Sequence, residues 1–325
     1  MYVDVAYVLM VQLYNQLLFV LVLCTIYLIN LFYSNHFSTF SLTPLVAEKV
    51  VKKQRSEMAL TWTHKDTGEI RVHEDLEELS IDLVDFIAEI SEASIKEHGA
   101  FCIVLSGGSL ISLMGKLVEP PYDKIVDWAK WYVFWADERV VAKSHDDSNY
   151  KLAKDNLLSK VNVFPRHICS INDTVSAEEA AAEYEFAIRQ MVRTRTVAAS
   201  ENSDCPKFDL ILLGMGSDGH VASLFPNHPA LVVKDDWVTF LTDSPKPPPE
   251  RITFTLPVIN SAANVVVVAT GESKANAIHL ALDDLPVPES SSSLPARLVH
   301  PSNGNLIWFM DKPAGYKLDR FKFSK

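Results

Sequence analysis

Four short apolar runs decide most of what this chain can become: FCIVL at 101–105, WYVFW at 131–135, FDLILL at 208–213 and VVVVA at 265–269. None alternates apolar with polar residues, so a strand made from any of them has no face to offer to water. Each is too short for an ordinary buried helix, and valines and aromatics favour extended backbone. Between and around them lie stretches of helical spacing at 110–117, 149–158, 177–192 and 274–282. Upstream, Asp75 can cap a helix with Glu78 three residues on, placing Leu79, Leu83, Phe86, Ile87 and Ile90 on one face and Gly99 at its end. Doubly buried strands alternating with helices predict an α/β fold, an open and mainly parallel sheet with helices on both faces. The loops 245–250 (PKPPPE) and 283–295 (DDLPVPESSSSLP) read as surface connections, and no internal repeat is present.

Residues 1–57 do not share this pattern. Between Asp4 and Glu48 there is no Asp, Glu, Lys or Arg, and apolar residues are densest at 17–29 (LLFVLVLCTIYLI). That run falls short of the roughly 20 residues that cross a bilayer as a helix. Counting outward from it brings in Gln12, Asn15, Gln16 and Asn30. The cluster Lys49, Lys52, Lys53 and Arg55 would keep its flank cytosolic if the segment inserted. Two readings stay open. Residues 1–57 are a hydrophobic anchor or targeting extension, with any membrane association confined to 17–29, or they lie outside the working protein, which then begins at Met58. Either way 58–325 is expected to be one domain.

The formal net charge is −11, which speaks against a nucleic-acid partner and requires any anionic ligand to be captured by a local concentration of cations and amides. Cys24, Cys102, Cys169 and Cys205 are scattered with no C-x-x-C or Cys/His metal spacing, so a reducing compartment and no metal site are expected.

The residues just after each buried run are the informative part. After Leu105 come Ser106, Gly107, Gly108 and Ser109; after Trp135 and Ala136 come Asp137, Glu138 and Arg139. After Leu213 comes GMGSDGH, ending in Asp218, Gly219 and His220, and after Ala269 comes TGESK, ending in Lys274. Ligands of open parallel sheets bind at the carboxyl ends of strands, so these segments are expected on one rim. Taken singly, each has a plain alternative: an ordinary capped turn, a solvated loop, a packed histidine. The convergence of glycine-rich backbone, carboxylate, cations and imidazole carries more than any one of them. His220 is the candidate general base, since an imidazole near its ordinary pKa is mostly neutral at pH 7. Residues 106–109 can aim backbone amides at an anion. Arg251, opening the β-rich run RITFTLPVI, and Lys274 suit a phosphate monoester. No G-x-S-x-G elbow, Walker lysine or G-x-G-x-x-G spacing is present.

These segments resemble the 6-phosphogluconolactonase family, its plant-type members in particular. The resemblance rests on SGGS at 106–109, WADERVV at 135–141, SNYKLAKDNLL at 148–158, FDLILLGMGSDGHVASLFPNHP at 208–229, RITFTLPVIN at 251–260 and GESKA at 271–275. It implies a Rossmann-like sheet, no metal or organic cofactor, and hydrolysis of 6-phospho-D-glucono-1,5-lactone in the oxidative pentose phosphate pathway. Carried onto this chain, it makes His220 the base that activates water, with Asp137 and Arg139 orienting substrate or histidine and balancing an oxyanion. Arg251, Lys274 and the amides of Ser106, Gly107, Gly108 and Ser109 correspond to the phosphate clamp, and Asp218 shapes the glycine turn or bonds sugar hydroxyls. The expected compartment is the cytosol, with a plastid or a membrane-tethered form as alternatives. Two rival readings are an amino-sugar-phosphate isomerase or deaminase and a non-catalytic sugar-phosphate sensor. In the deaminases the histidine is followed by a Phe-Asn-Glu-Pro-like stretch, whereas Ser223, Leu224, Phe225 and Pro226 stand here.

Overall fold

The computed structural model describes residues 59–64, 68–283 and 294–319. The 17–29 run and all but the ends of the serine-rich 283–295 loop lie outside them. Among the described residues no helix is long and apolar enough to cross a membrane.

Seven strands form the main sheet: β1 (Ala59–His64), β2 (Gly68–His73), β3 (Phe101–Leu105), β4 (Trp131–Trp135), β8 (Leu210–Gly214), β11 (Asn264–Ala269) and β12 (Asn305–Asp311), in the order β1-β2-β12-β11-β8-β3-β4. Only β1, at the edge, runs antiparallel to its neighbour. The other six are parallel, and all of them but β2 lack a polar face. Successive residues of each strand enter opposite cores. Ile103, Leu105, Val133, Trp135, Leu212 and Val266 pack on one face, under α1 (Leu76–His98), α2 (Ser109–Leu113) and α3 (Asn149–Asn156). Val104, Phe134, Ile211, Leu213, Val265 and Val267 pack on the other, under α4 (Ala177–Arg193) and α5 (Ala275–Leu282). This is the mainly parallel α/β sheet with helices on both faces that the sequence predicts.

A second sheet, antiparallel, joins β5 (Asp137–Arg139), β10 (Arg251–Phe254) and β9 (Val238–Leu241). It begins where β4 ends, because Ala136 is held between the two sheets. Its N–H donates to Leu105 O at 2.8 Å, and its carbonyl accepts from Phe254 N at 2.7 Å. The pairing sets Arg139 directly opposite Arg251, and Asp137 opposite Thr253. A two-stranded ribbon of β6 (Ala198–Ala199) and β7 (Pro206–Lys207) completes the strands.

Local signals hold at most boundaries and fail at a few. Asp75 caps α1, accepting from the amides of Glu77 and Glu78, while the Glu78 carboxylate reaches the Glu74 amide, one residue earlier than a capping box would have it. The expected helix at 110–117 stops at Leu113 and continues as a 3-10 turn, Gly115–Val118, since glycine has little helix propensity. The run 208–213 pairs from Leu210, leaving Phe208 buried ahead of the strand. The segment RITFTLPVI is a strand only to Phe254, and Leu256–Ile259 is a helical turn with proline in its first turn, where its missing N–H costs nothing.

Asp75→Ala is expected to lower stability by about 1 kcal/mol, the usual worth of an N-cap side chain. It should appear as a lower urea midpoint at unchanged m value. An unchanged midpoint would mean that α1 is held by its packing alone.

Candidate active site

Chain order along the sheet reverses between β3 and β8. From β3 the chain steps outward to β4; from β8 it steps through β11 and β12 the other way. The loops leaving β3 and β8 therefore diverge and leave a crevice at their carboxyl ends. A cavity of about 240 Å³ opens there. Ser106, Gly107, Gly108 and Ser109 line it after β3 and Asp137 and Arg139 after β4, and His220, Arg251 and Lys274 also face it. Asp218 stands behind His220 and does not line the cavity.

His220 is placed by the turn after β8. Its carbonyl accepts from Gly216 N at 2.9 Å, folding 216–220 back on itself. A Cβ at Gly216 would lie 2.0 Å from His220 Nδ1 and 2.3 Å from Asp218 Oδ1, so only glycine lets the pair lie against the turn's own backbone. Asp218 Oδ1 meets Nδ1 at 2.5 Å, and Phe225 packs against the ring at 4.6 Å between centroids. A carboxylate on Nδ1 retains the hydrogen there, which leaves the Nε2 lone pair available. Burial pulls the imidazole below its ordinary pKa. Asp218 opposes that shift, Lys246 adds to it, and Asp137 opposes it weakly. Burial would raise the Asp218 carboxyl, but bonds and charge from His220 and Lys246 outweigh it and bring it to about 2. The pair thus rests as a neutral imidazole beside a full carboxylate.

Asp137, 4% exposed, accepts from Ser223 Oγ at 2.7 Å through Oδ2. Its carbonyl accepts from Asn149 Nδ2 at 2.9 Å. Asn149 also abuts the first glycine loop, because a Cβ at Gly107 would sit 1.9 Å from its Oδ1. The N-terminus of α3 therefore braces the loops after β3 and β4 together. Glu138 points away from the cavity and caps α3, accepting from the amides of Arg139, Asn149 and Tyr150. Burial pushes its carboxyl up to about 7 despite those bonds. Arg139 is fixed at one end by Nη1 donating to Asp147 O at 2.8 Å, while its buried Nε and the buried Ser106 Oγ have no hydrogen-bond partner.

Arg251 is 3% exposed and largely occupied. Nε donates to Pro248 O, Nη2 to Lys246 O and Pro247 O, and Nη1 to Ser223 Oγ. One of its five N–H groups is left for a ligand. The loop it grips is 245–250, and the structure corrects the reading of that loop as a surface connection. Lys246 lines the cavity, with Nζ 3.1 Å from Asp218 Oδ1 and 3.3 Å from His220 Nδ1. A proline-rich run looks like a surface connection from sequence alone, and the one available signal was a lysine inside it. Ser223, 0% exposed and bridging Arg251 to Asp137, also escaped notice, since a lone serine carries no pattern. Lys274 is half-buried, which lowers its pKa, and the neighbouring Lys246 lowers it further. Its loop is pinned by Gly271 N donating to Asp311 Oδ1 at 2.9 Å.

Comparison with known proteins gives the family and the fold. The family model described as glucosamine-6-phosphate isomerases/6-phosphogluconolactonase matches residues 74–308. The chain is similar to probable 6-phosphogluconolactonase 1 of Arabidopsis thaliana, 92% identical over 268 residues that cover 82% of this chain and 100% of that protein. Probable 6-phosphogluconolactonase 4, chloroplastic, of Oryza sativa subsp. japonica is 52% identical over 246 residues, covering 76% of this chain and 75% of that one. Among solved structures, 6-phosphogluconolactonase from Trypanosoma cruzi superposes with a TM-score of 0.68 at 27% identity, covering 80% of this chain and 99% of that one. With a family model matched over residues 74–308 and these likenesses, the chain belongs to the glucosamine-6-phosphate isomerase/6-phosphogluconolactonase family.

Proposed function

We propose that this chain hydrolyses 6-phospho-D-glucono-1,5-lactone to 6-phospho-D-gluconate, the lactonase step of the oxidative pentose phosphate pathway. The observation that carries the reading is the His220 imidazole, paired with Asp218 through Nδ1, at the edge of a cavity that Arg139, Arg251 and Lys274 line with positive charge. A dianionic phosphate is held by such a lining although the protein as a whole is acidic. His220 Nε2 takes a proton from water, and the hydroxide adds to C1 of the lactone. Arg139 balances the charge that develops on the carbonyl oxygen. The C1–O5 bond then breaks, and the imidazolium returns its proton to the departing ring oxygen, giving the open hydroxy acid. Lys274, the amides of 106–109 and the spare N–H of Arg251 take the phosphate. Asp137, fixed by Ser223, orients sugar hydroxyls or the water.

The deaminase reading finds less support. Where the deaminases carry a carboxylate near the histidine, this chain has Phe225, whose ring packs on His220. All the proposed groups lie between Ser106 and Lys274, so 58–325 suffices as the catalytic domain and 1–57 are dispensable for the chemistry. Cys102, Cys169 and Cys205 are unpaired and buried, which fits a reducing compartment, and the cytosol is the proposed one. A fluorescent fusion to the full chain tests it, with plastid or membrane fluorescence opposing it.

Protein begun at Met58 is expected to release acid from freshly made 6-phosphogluconolactone well above the spontaneous rate. His220→Ala should lose roughly 10²–10⁴ in kcat at near-normal KM, the worth of a positioned base. A folded, inactive wild-type protein would overturn the lactonase reading.

Since the His220 pKa lies below 6.5, the base form persists at neutral pH, and kcat/KM should be level there and fall as the pH drops below 6.5. A flat profile from pH 5 to 8 contradicts an imidazole base. Lys274→Met should raise KM for the phosphorylated lactone roughly tenfold or more, the cost of one charge-assisted contact. It should leave gluconolactone turnover nearly unchanged, and equal losses on both substrates would mean Lys274 does not read phosphate.

A further inference from the structure

Resting on the lactonase reading, we propose that Lys246 is a positioning residue for the base. Its ammonium shares the Asp218 carboxylate with His220 Nδ1, and its charge holds the ring neutral, while Asp218 keeps the hydrogen on Nδ1 and leaves Nε2 for water.

The geometry makes this more than proximity. Asp218 Oδ1 receives two donors, His220 Nδ1 at 2.5 Å and Lys246 Nζ at 3.1 Å, and the two nitrogens stand 3.3 Å apart. An ammonium has only hydrogens to offer, so it cannot accept from Nδ1–H. With the hydrogen on Nδ1, both nitrogens direct their hydrogens at the charged Asp218 oxygen they share, and that oxygen offsets their proximity. A second positive charge on the ring would face Lys246 at that distance, and the imidazolium is therefore disfavoured at rest. The remaining charged groups around the ring do not cancel this effect. Asp137 faces it from β5 and favours the charged form, but less strongly than Lys246 opposes it. Lys274 lies close enough to act on Lys246 and Asp218. Arg139 and Arg251 add further positive charge to the cavity lining.

Lys246 does not reach this position on a loose loop. Its carbonyl accepts from Arg251 Nη2 at 2.9 Å and from Ser244 Oγ at 2.8 Å, and the carbonyls of Pro247 and Pro248 accept from the same guanidinium at 2.9 and 3.0 Å. Ser244 N donates to Pro249 O at 3.1 Å and closes the loop. The donors of Arg251 are thus spent mainly on delivering Lys246. The same guanidinium, through Ser223, sets Asp137. Two walls of the site are held from one buried cation.

The test compares pH profiles of kcat/KM for wild type, Lys246→Met and Lys246→Arg, on both 6-phosphogluconolactone and unphosphorylated gluconolactone. Lys246 is 40% exposed at its side chain, so neither variant loses a buried contact. With Lys246→Met the acid limb should move to higher pH on both substrates, and the plateau should fall by less than the 10²–10⁴ of removing the base. Lys246→Arg should return the limb toward its wild-type position. An acid limb that stays in place, with a KM that rises for the phosphorylated substrate alone, would show Lys246 to be a phosphate ligand and overturn the proposal. An inactive wild type would instead remove the lactonase reading on which it stands.

Discussion

Burial of both faces of five parallel strands, β12, β11, β8, β3 and β4, is the constraint on which the rest depends. A strand with no polar face must be covered twice, so every return crossing runs through helix or loop on one side of the sheet. Only the strand ends remain for chemistry. The order β12-β11-β8-β3-β4 reverses direction between β8 and β3, so the two loops that leave those strands turn apart. The cavity exists because of that parting. Its contents are set by the loops around it: glycine-rich backbone after β3, the Asp137 carboxylate and Arg139 after β4, and the imidazole after β8. The small β5-β10-β9 sheet brings in Arg251 by pairing it with Arg139, a contact between like charges that only a nearby carboxylate and several carbonyl acceptors make tolerable.

The site's electrostatics solve a problem set by the substrate. A phosphorylated lactone needs cations to hold it and a neutral base to open it, and cations favour the neutral base as well. Here the same charges serve both ends. Asp218 keeps the proton on Nδ1 and prevents the ring from drifting to the wrong tautomer, while burial and Lys246 keep the ring uncharged. Other histidines also meet carboxylates, among them His73 with Asp82 and His228 with Asp243. Among the described residues it is His220 that combines such a partner with a face on the cavity. The pairing alone is therefore not the signature of the base.

Much of this was legible in the chain. The unalternating runs marked β3, β4, β8 and β11, and the residues after them marked the rim, because a strand end is a local event written in adjacent residues. Strand β12 carries the same signature in LIWFM yet was passed over, and β1 and β2 were missed because an edge pair is half-exposed and alternates. Lys246 and Ser223 were not legible, for a different reason. Lys246 acts through its approach to Asp218, which depends on how Arg251 gathers three carbonyls, and Ser223 through a bridge between β5 and β10. Neither relation lies along the chain. The rank of Arg251 also changed on folding. Sequence marked it as a phosphate ligand, and the fold shows a guanidinium with most of its donors already committed to the protein.

The central claim is that His220 rests neutral with its hydrogen on Nδ1. The most direct measurement is a ¹⁵N-histidine spectrum of the protein across pH 5 to 8, with His220→Gln to assign the signal. The account predicts a neutral Nδ1–H tautomer at pH 7 that titrates below 6.5. An imidazolium at pH 7, or a neutral ring with its hydrogen on Nε2, would contradict it.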